Sequence, residues 1–217
     1  MTFTGFGRGA VAFYEDLAVH NSREWWTANK ARYEAEVRRP MELLLDDLAS
    51  DFGEAKVFRP NRDTRFSKDK TPYKTSIAAV IHGDPAGSVY ISLSAEGLHV
   101  GGGAYHLERD QLARYRAAVD DDLTGTELES LAVELRAAKA DVTSHSTLKT
   151  APRGYPADHP RIGLLRQDGI VGMWAHPPRA WLHTARAADR VADGWRALAP
   201  LNAWLGDHVG PSTSRDL

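Results

Sequence analysis

The chain has 217 residues, a formal net charge of −2, 42% hydrophobic and 26% charged residues, and no cysteine. That composition supports one substantial core of ordinary soluble type and excludes disulfides, thiolate nucleophiles and cysteine-ligated zinc. No apolar run approaches the ~20 residues that span a bilayer, and residues 1–9 lack a basic-then-apolar leader, so a cytoplasmic protein with no membrane attachment is expected.

Elements follow in chain order. Val11, Tyr14, Leu17 and Ala18 recur at helical spacing and predict a first short helix. Asn21 followed by Glu24 reads as a capping box opening a second. In that helix Trp25, Asn29 and Tyr33 share a face. Pro40 is expected to end it and begin a third, whose stripe is Leu43, Leu44, Leu48 and Phe52, closed by Gly53. Strand-like patterning starts at Lys56 to Arg59 and returns at Ile77 to Ile81. The turn residues of 82–87 come next, and then the alternation of Val89, Ile91 and Leu93. Ala95-Glu96-Gly97 fits a hairpin, with Gly97 free to take positive φ, and Leu98 and Val100 continue the alternation.

Helices return with Leu112, Tyr115 and Val119, then Leu128, Leu131, Ala132 and Leu135. Residues 141–146 read as a polar loop, 152–160 as irregular and proline-rich, and Ile170 to Trp174 as a further strand. Two closing helices are expected, one through Trp181, Leu182, Ala185 and Ala188, the other through Trp195, Leu198, Asn202 and Leu205. The expected fold is α+β: an antiparallel meander of at least three strands flanked by N- and C-terminal helices. It forms one domain over residues 1–205, with a frayed tail at 206–217.

The chemistry concentrates in residues 59–74. Six cations, Arg59, Arg62, Arg65, Lys68, Lys70 and Lys74, face two acids, Asp63 and Asp69, so the segment carries +4 and the rest of the chain −6. Such an island on an acidic protein points to a local anion site, because arginine forks and lysine ammoniums hold phosphate or carboxylate. Pro60 and Pro72 discourage a helix through it. Asp63 and Asp69 are candidate bases, metal ligands or arginine-orienting groups. The competing reading is a salt-bridge network that only holds the segment in place.

A second loop carries Lys149 and Arg153, candidates for the same anion, and His159, a candidate proton carrier or a capping residue. Gly101-Gly102-Gly103, running from a strand towards a helix, is a candidate backbone anion cradle, with close packing as the equal alternative. Trp25 and Trp26 fit core packing better than a stacking surface. The chain contains no HExxH, GxSxG, P-loop or kinase signature, and its nine histidines show no pairing at metal-ligand spacing. The sequence assigns no cofactor, and its histidines point to no metal site.

Two patterns carry a resemblance: Asn21-x-Arg23-x-Trp25-Trp26-x-x-Asn29-Lys30-x-x-Tyr33, and Arg59-x-x-Arg62-Asp63-x-Arg65-Phe66-x-x-x-Lys70-x-x-Tyr73. With Gly101–Gly103 and the Leu148–Tyr155 loop, the chain resembles DUF2461, a bacterial family of unknown function, from about Phe3 to Leu205. Trp26 and Pro60 depart from the usual pattern without removing a charge. The resemblance implies that the basic segment, Tyr73 included, is the working site and implies no activity. The resulting expectation is a small phosphorylated or carboxylated ligand bound by the loop, where phosphoryl or phosphodiester chemistry is the reaction the cations would suit. The alternatives are nucleic-acid binding through the same cations and a non-catalytic interaction protein.

Overall fold

The structure is a computed structural model and describes residues 2–65, 68–83 and 87–213. Phe66 of the basic motif, residues 84–86 of the expected turn, and residues 214–217 of the tail lie outside the described residues. The fold is α+β. Helices α1 (Arg8–His20), α2 (Arg23–Tyr33) and α3 (Arg39–Phe52) precede strands β1 (Lys56–Val57), β2 (Ser76–His82), β3 (Ser88–Ser94) and β4 (Gly97–Ala104). Then come α4 (Arg109–Asp120), α5 (Asp122–Ala137), β5 (Asp141–Thr143), α6 (Ile162–Leu165), β6 (Ile170–His176), α7 (Arg186–Ala197) and α8 (Ala199–His208). The strands form one antiparallel sheet in the order β1-β2-β3-β4-β6-β5, so the expected meander is its centre.

Contacts divide the chain into two compact units. The first takes residues 1–81, 90–100 and 175–193, and the second takes 82–89, 101–174 and 194–217. In the first, α1 to α3 build an aromatic core. The Phe13 ring lies 5.4 Å from Trp25, 6.0 Å from Trp26 and 5.6 Å from Tyr33. Trp26 and Tyr33 are buried, as aromatic residues on a core-facing helix should be. In the second, α4, α5 and α8 bury Tyr115, Val119, Leu128, Leu135, Leu201, Trp204 and Leu205 around a separate apolar cluster.

Several local outcomes differ from expectation, each for a physical reason. Ser22, not Asn21, caps α2, accepting from the Trp25 N–H at 3.2 Å. Pro40 does not interrupt the helix. A π-turn over Glu34–Arg38 widens the ladder, with the Arg39 N–H donating to Glu34 O, and the proline falls in the first turn of α3, where no donor is needed. Residues 141–143 form the edge strand β5, paired antiparallel with β6, Val142 opposite Gly172. The first closing helix divides into a 3₁₀ turn at Ala180–His183 and α7, and Pro200 opens α8. Residues 209–213 are held onto α4: Arg114 donates to Val209 O and Pro211 O, and Asp110 accepts from Ser212 Oγ and the Thr213 N–H. Among the described residues no helix is long and apolar enough to cross a membrane.

Candidate functional site

The basic segment is a loop closed by backbone pairing. Asn61 and Tyr73 form an antiparallel bridge, flanked by Arg62 N–H to Pro72 O at 2.9 Å and Lys74 N–H to Pro60 O at 2.8 Å. Asn21 clamps the closure from outside. Its Nδ2 donates to Tyr73 O at 2.9 Å, and its Oδ1 accepts from the Tyr73 N–H at 3.1 Å. The Tyr73 ring, buried, stacks on Trp26 with centroids 4.1 Å apart and planes 10° from parallel. These contacts fix where the loop begins and ends.

Within the loop, acids and bases pair locally. Arg62 Nη1 meets Asp69 Oδ2 at 2.6 Å, and Arg65 Nη2 meets Asp63 Oδ2 at 2.7 Å, with Arg65 Nε on Oδ1 at 3.1 Å. The Arg65 guanidinium, then the Arg65 N–H, hold the Asp63 carboxyl below the ordinary carboxylate range. The Thr71 N–H and hydroxyl do the same for Asp69, with a further contribution from Arg62. Lys70 Nζ donates to Thr64 O at 2.8 Å. Burial, then repulsion from Arg59 and Arg62, lowers the Lys74 ammonium, whose Nζ sits 5.4 Å over the Phe58 ring. Arg59 and Lys68 are exposed.

At the base of this loop lies a cleft of about 320 Å³. Three cations line it, Arg62 and Lys70 from the loop and Arg23 from the first turn of α2, together with the neutral groups of Asn61 and Thr64. Pro72 and Tyr73 complete the wall, and among the described residues no carboxylate lines it. Arg62 Nε is buried without a hydrogen-bond partner among the described residues. Arg23 is a residue that sequence reasoning leaves outside the candidate site. Its place in the same pattern as Asn21 and Trp26 is the available signal.

The other candidates lie in the second unit. Lys149 and Arg153 are exposed on the irregular loop. His159 has both ring nitrogens engaged. Nδ1 accepts from the Arg161 N–H at 3.0 Å and Nε2 contacts Asp120 Oδ1 at 3.2 Å. Gly101–Gly103 does not open a helix. All three stand buried inside β4, where a Cβ at Gly102 would come within 2.2 Å of Ser88 O and one at Gly101 within 2.7 Å of Gly172 O. The missing side chains permit close strand packing at this point of the sheet.

Sequence reasoning also misses one constellation altogether. His106, which follows β4, His145, which follows β5, and Asp168, which precedes β6, bring one ligand atom each to within 4.8 Å of one another. Asp168 Oδ2 lies 3.2 Å from His106 Nδ1 and 3.3 Å from His145 Nδ1. Burial acts to raise the Asp168 carboxyl, but the Ser146 N–H, the Ser146 hydroxyl and the two imidazoles outweigh it and hold it down to about 2. The histidines stand 62 and 23 positions from Asp168, so no short spacing in the sequence announces them.

A family model described as "Conserved hypothetical protein (DUF2461)" matches residues 9–204, nearly the whole chain. No curated protein and no solved structure matches.

Proposed function

The chain belongs to the DUF2461 family, and for it we propose a binding function: a small phosphorylated or carboxylated ligand is taken up in the cleft at the base of the basic loop. The observation that carries this reading is the lining itself, among the described residues three cations and no carboxylate around about 320 Å³. That volume is at the small end for ligand pockets and suits a compact anion better than a polymer. Arg62 and Arg23 offer forked donors, Lys70 a point charge, and Asn61 and Thr64 neutral hydrogen bonds that set orientation. The repulsion that Arg59 and Arg62 exert on Lys74 is a cost that a bound anion would relieve.

In this reading Asp63 and Asp69 orient arginines. Both carboxyls are held below the ordinary range, and a general base works best with a pKa near the working pH, so neither is assigned a proton-transfer step. Arg65, Lys68, Lys149 and Arg153 are assigned no direct contact.

Isothermal titration of the full chain with inorganic phosphate and with citrate tests the proposal. Saturable binding to at least one is expected. Arg62→Ala or Lys70→Ala should weaken it roughly 10- to 100-fold, the loss of one charge-assisted hydrogen bond of about 1.5–3 kcal/mol, with the melting temperature nearly unchanged. Absence of saturable binding at millimolar ligand, or equal binding by the variants, overturns it. So would an Arg62→Ala protein that melts far earlier yet binds phosphate as before, which would assign the loop to the salt-bridge network. Tight, steeply salt-dependent binding of a single-stranded oligonucleotide would reassign the cations to a nucleic-acid backbone.

A further inference from the structure

We propose that His106, His145 and Asp168 form a binding site for a divalent first-row transition-metal ion, a site separate in residues from the anion cleft.

The scaffold beneath the triad is fixed by backbone hydrogen bonds between three chain segments. The His145 N–H donates to Tyr105 O at 3.0 Å, the Leu107 N–H to Asp168 O at 2.9 Å, and the Asp168 N–H to Ser146 O at 3.2 Å. A bridge between Thr147 and Gln167 extends the pairing. Gly169 permits the approach, since a Cβ there would fall 2.3 Å from Ala104 O and 2.8 Å from Tyr105 O. Each ligand candidate therefore sits on, or one residue from, a backbone group already committed to its neighbour. Sites held in this way keep their geometry without the ion.

The donor atoms converge. Both imidazoles present Nδ1 to the same carboxylate oxygen, at 3.2 and 3.3 Å, with their rings 5.5 Å apart and 73° from parallel. An ion with bonds of about 2.0–2.1 Å spaces tetrahedral ligands about 3.3–3.4 Å apart and facial octahedral ligands about 2.8–3.0 Å apart, so the two separations to Asp168 Oδ2 fall in the range such an ion sets, and all three donor atoms lie within 4.8 Å of one another. The other carboxylate oxygen, Oδ1, is held by the Ser146 N–H at 2.7 Å, and the Ser146 hydroxyl reaches Oδ2 at 2.9 Å. These bonds orient the carboxylate in the manner of an outer-shell partner. Asp168 is largely buried, with 14% of its side chain exposed, whereas each histidine is 55% exposed, so the ion would sit at the surface with a route in.

The donor set selects the class of ion. Two imidazoles and one carboxylate suit zinc, cobalt, nickel, iron or manganese. The chain has no thiolate for soft ions, and too few oxygens converge for calcium or magnesium. Three protein ligands leave at least one position open to water, the arrangement that catalytic rather than structural sites keep.

The test uses the tag-free full chain, stripped with chelator. Co²⁺ is titrated while its visible absorption is read, and Zn²⁺ is titrated by calorimetry, with Mg²⁺ as the hard-ion comparison. One equivalent of Co²⁺ and of Zn²⁺ is expected, with a ligand-field band from nitrogen and oxygen ligands and no saturable Mg²⁺ binding. His106→Ala and His145→Ala, both at exposed positions that should fold normally, should each weaken Zn²⁺ at least 100-fold. Ser146→Ala should weaken it roughly 10-fold through Asp168, and His20→Ala on α1 should change nothing. No Co²⁺ band at equimolar metal, or unchanged affinity in both histidine variants, would leave the triad a hydrogen-bonded knot and overturn the assignment. Asp168→Asn is the less clean variant, because it also disturbs the bonds to Ser146, so the two histidine variants decide the question.

Discussion

The basic loop and the His106–His145–Asp168 corner are opposite kinds of site. The loop is contiguous in sequence, and its charges pair over short stretches of chain: Asp63 takes Arg65 two positions on, and Arg62 takes Asp69 seven positions on. The corner is assembled from three segments, with residues up to 62 positions apart sharing one oxygen atom. Local pairing leaves the purpose of a charge ambiguous, because a carboxylate that orients an arginine for a ligand and one that merely neutralises it look alike. Convergence of distant side chains on a single atom is harder to produce without a purpose, since each must be brought there by its own stretch of backbone and lose side-chain entropy on arrival. Contiguity makes the loop easy to find and hard to interpret. For the corner the reverse holds.

The sharpest way to break this comparison is to attack the backbone of the corner without touching a ligand. Gly169→Ala would drive a methyl group to 2.3 Å from Ala104 O, a backbone atom with no side-chain freedom to yield. A cost of about 3 kcal/mol or more is expected, at the upper end of overpacking, lowering the melting temperature by roughly 6–12 °C. Zn²⁺ binding should fall with it at temperatures where the fold persists. A Gly169→Ala protein with parental stability and parental metal affinity would show that the corner is not held by its backbone.

The loop has its own anchor of intermediate strength. Asn21→Ala removes both hydrogen bonds to the backbone of Tyr73, leaving a buried N–H and C=O to find other partners. Stranding such groups costs about 2 kcal/mol, so a melting-temperature loss of roughly 4–8 °C is expected. Amide exchange should quicken selectively at Arg62 and Lys74, whose N–H groups close the loop. If exchange there stays at the parental rate while the molecule destabilises, the clamp acts on α2 and not on the loop.

How much of the molecule is legible in its sequence follows the same division. The β3–β4 hairpin is readable because Val89, Ile91 and Leu93 alternate and Gly97 takes φ of +110° where a turn is needed. β5 is not, because three residues at the sheet edge, two of them polar, are too few to show a period. Asn21 and Ser22 are equally good caps by residue type, and only Tyr73, 52 positions away, decides that Asn21 is otherwise engaged. The glycine run announces tight geometry correctly but not its use, since a phosphate and a neighbouring carbonyl both require the missing Cβ. The cleft is readable as a loop yet not as a lining: Arg23 enters it from a helix, and which cations face it depends on pairings that composition does not encode. The His106–His145–Asp168 corner is invisible because the fold alone supplies its spacing.

The smallest expected effect is the most discriminating for the loop. Arg65 and Asp63 form its best bidentate pair, yet the arginine is 77% and the acid 45% exposed. Water solvates both charges almost as well when they are apart, so exposed pairs of this kind contribute little to stability. Arg65→Ala should therefore leave the melting temperature and phosphate affinity indistinguishable from the parent. One quantity should move. The Asp63 carboxyl, held low chiefly by that guanidinium, should titrate closer to the ordinary carboxylate range, which carbon-detected NMR of the side chain reads directly. The sign follows from linkage: a carboxyl depressed in the fold stabilises it above the ordinary carboxylate range and ceases to as pH falls through the depressed value. The variant should therefore lose slightly less stability on acidification than the parent. If Arg65→Ala instead destabilises strongly at neutral pH, the pair is structural, and the loop's charges are a network after all. If it weakens phosphate binding as much as Arg62→Ala does, the cleft reaches further along the loop than Arg62 and Lys70. A silent variant at neutral pH would separate the cations that bind from those that only accompany them.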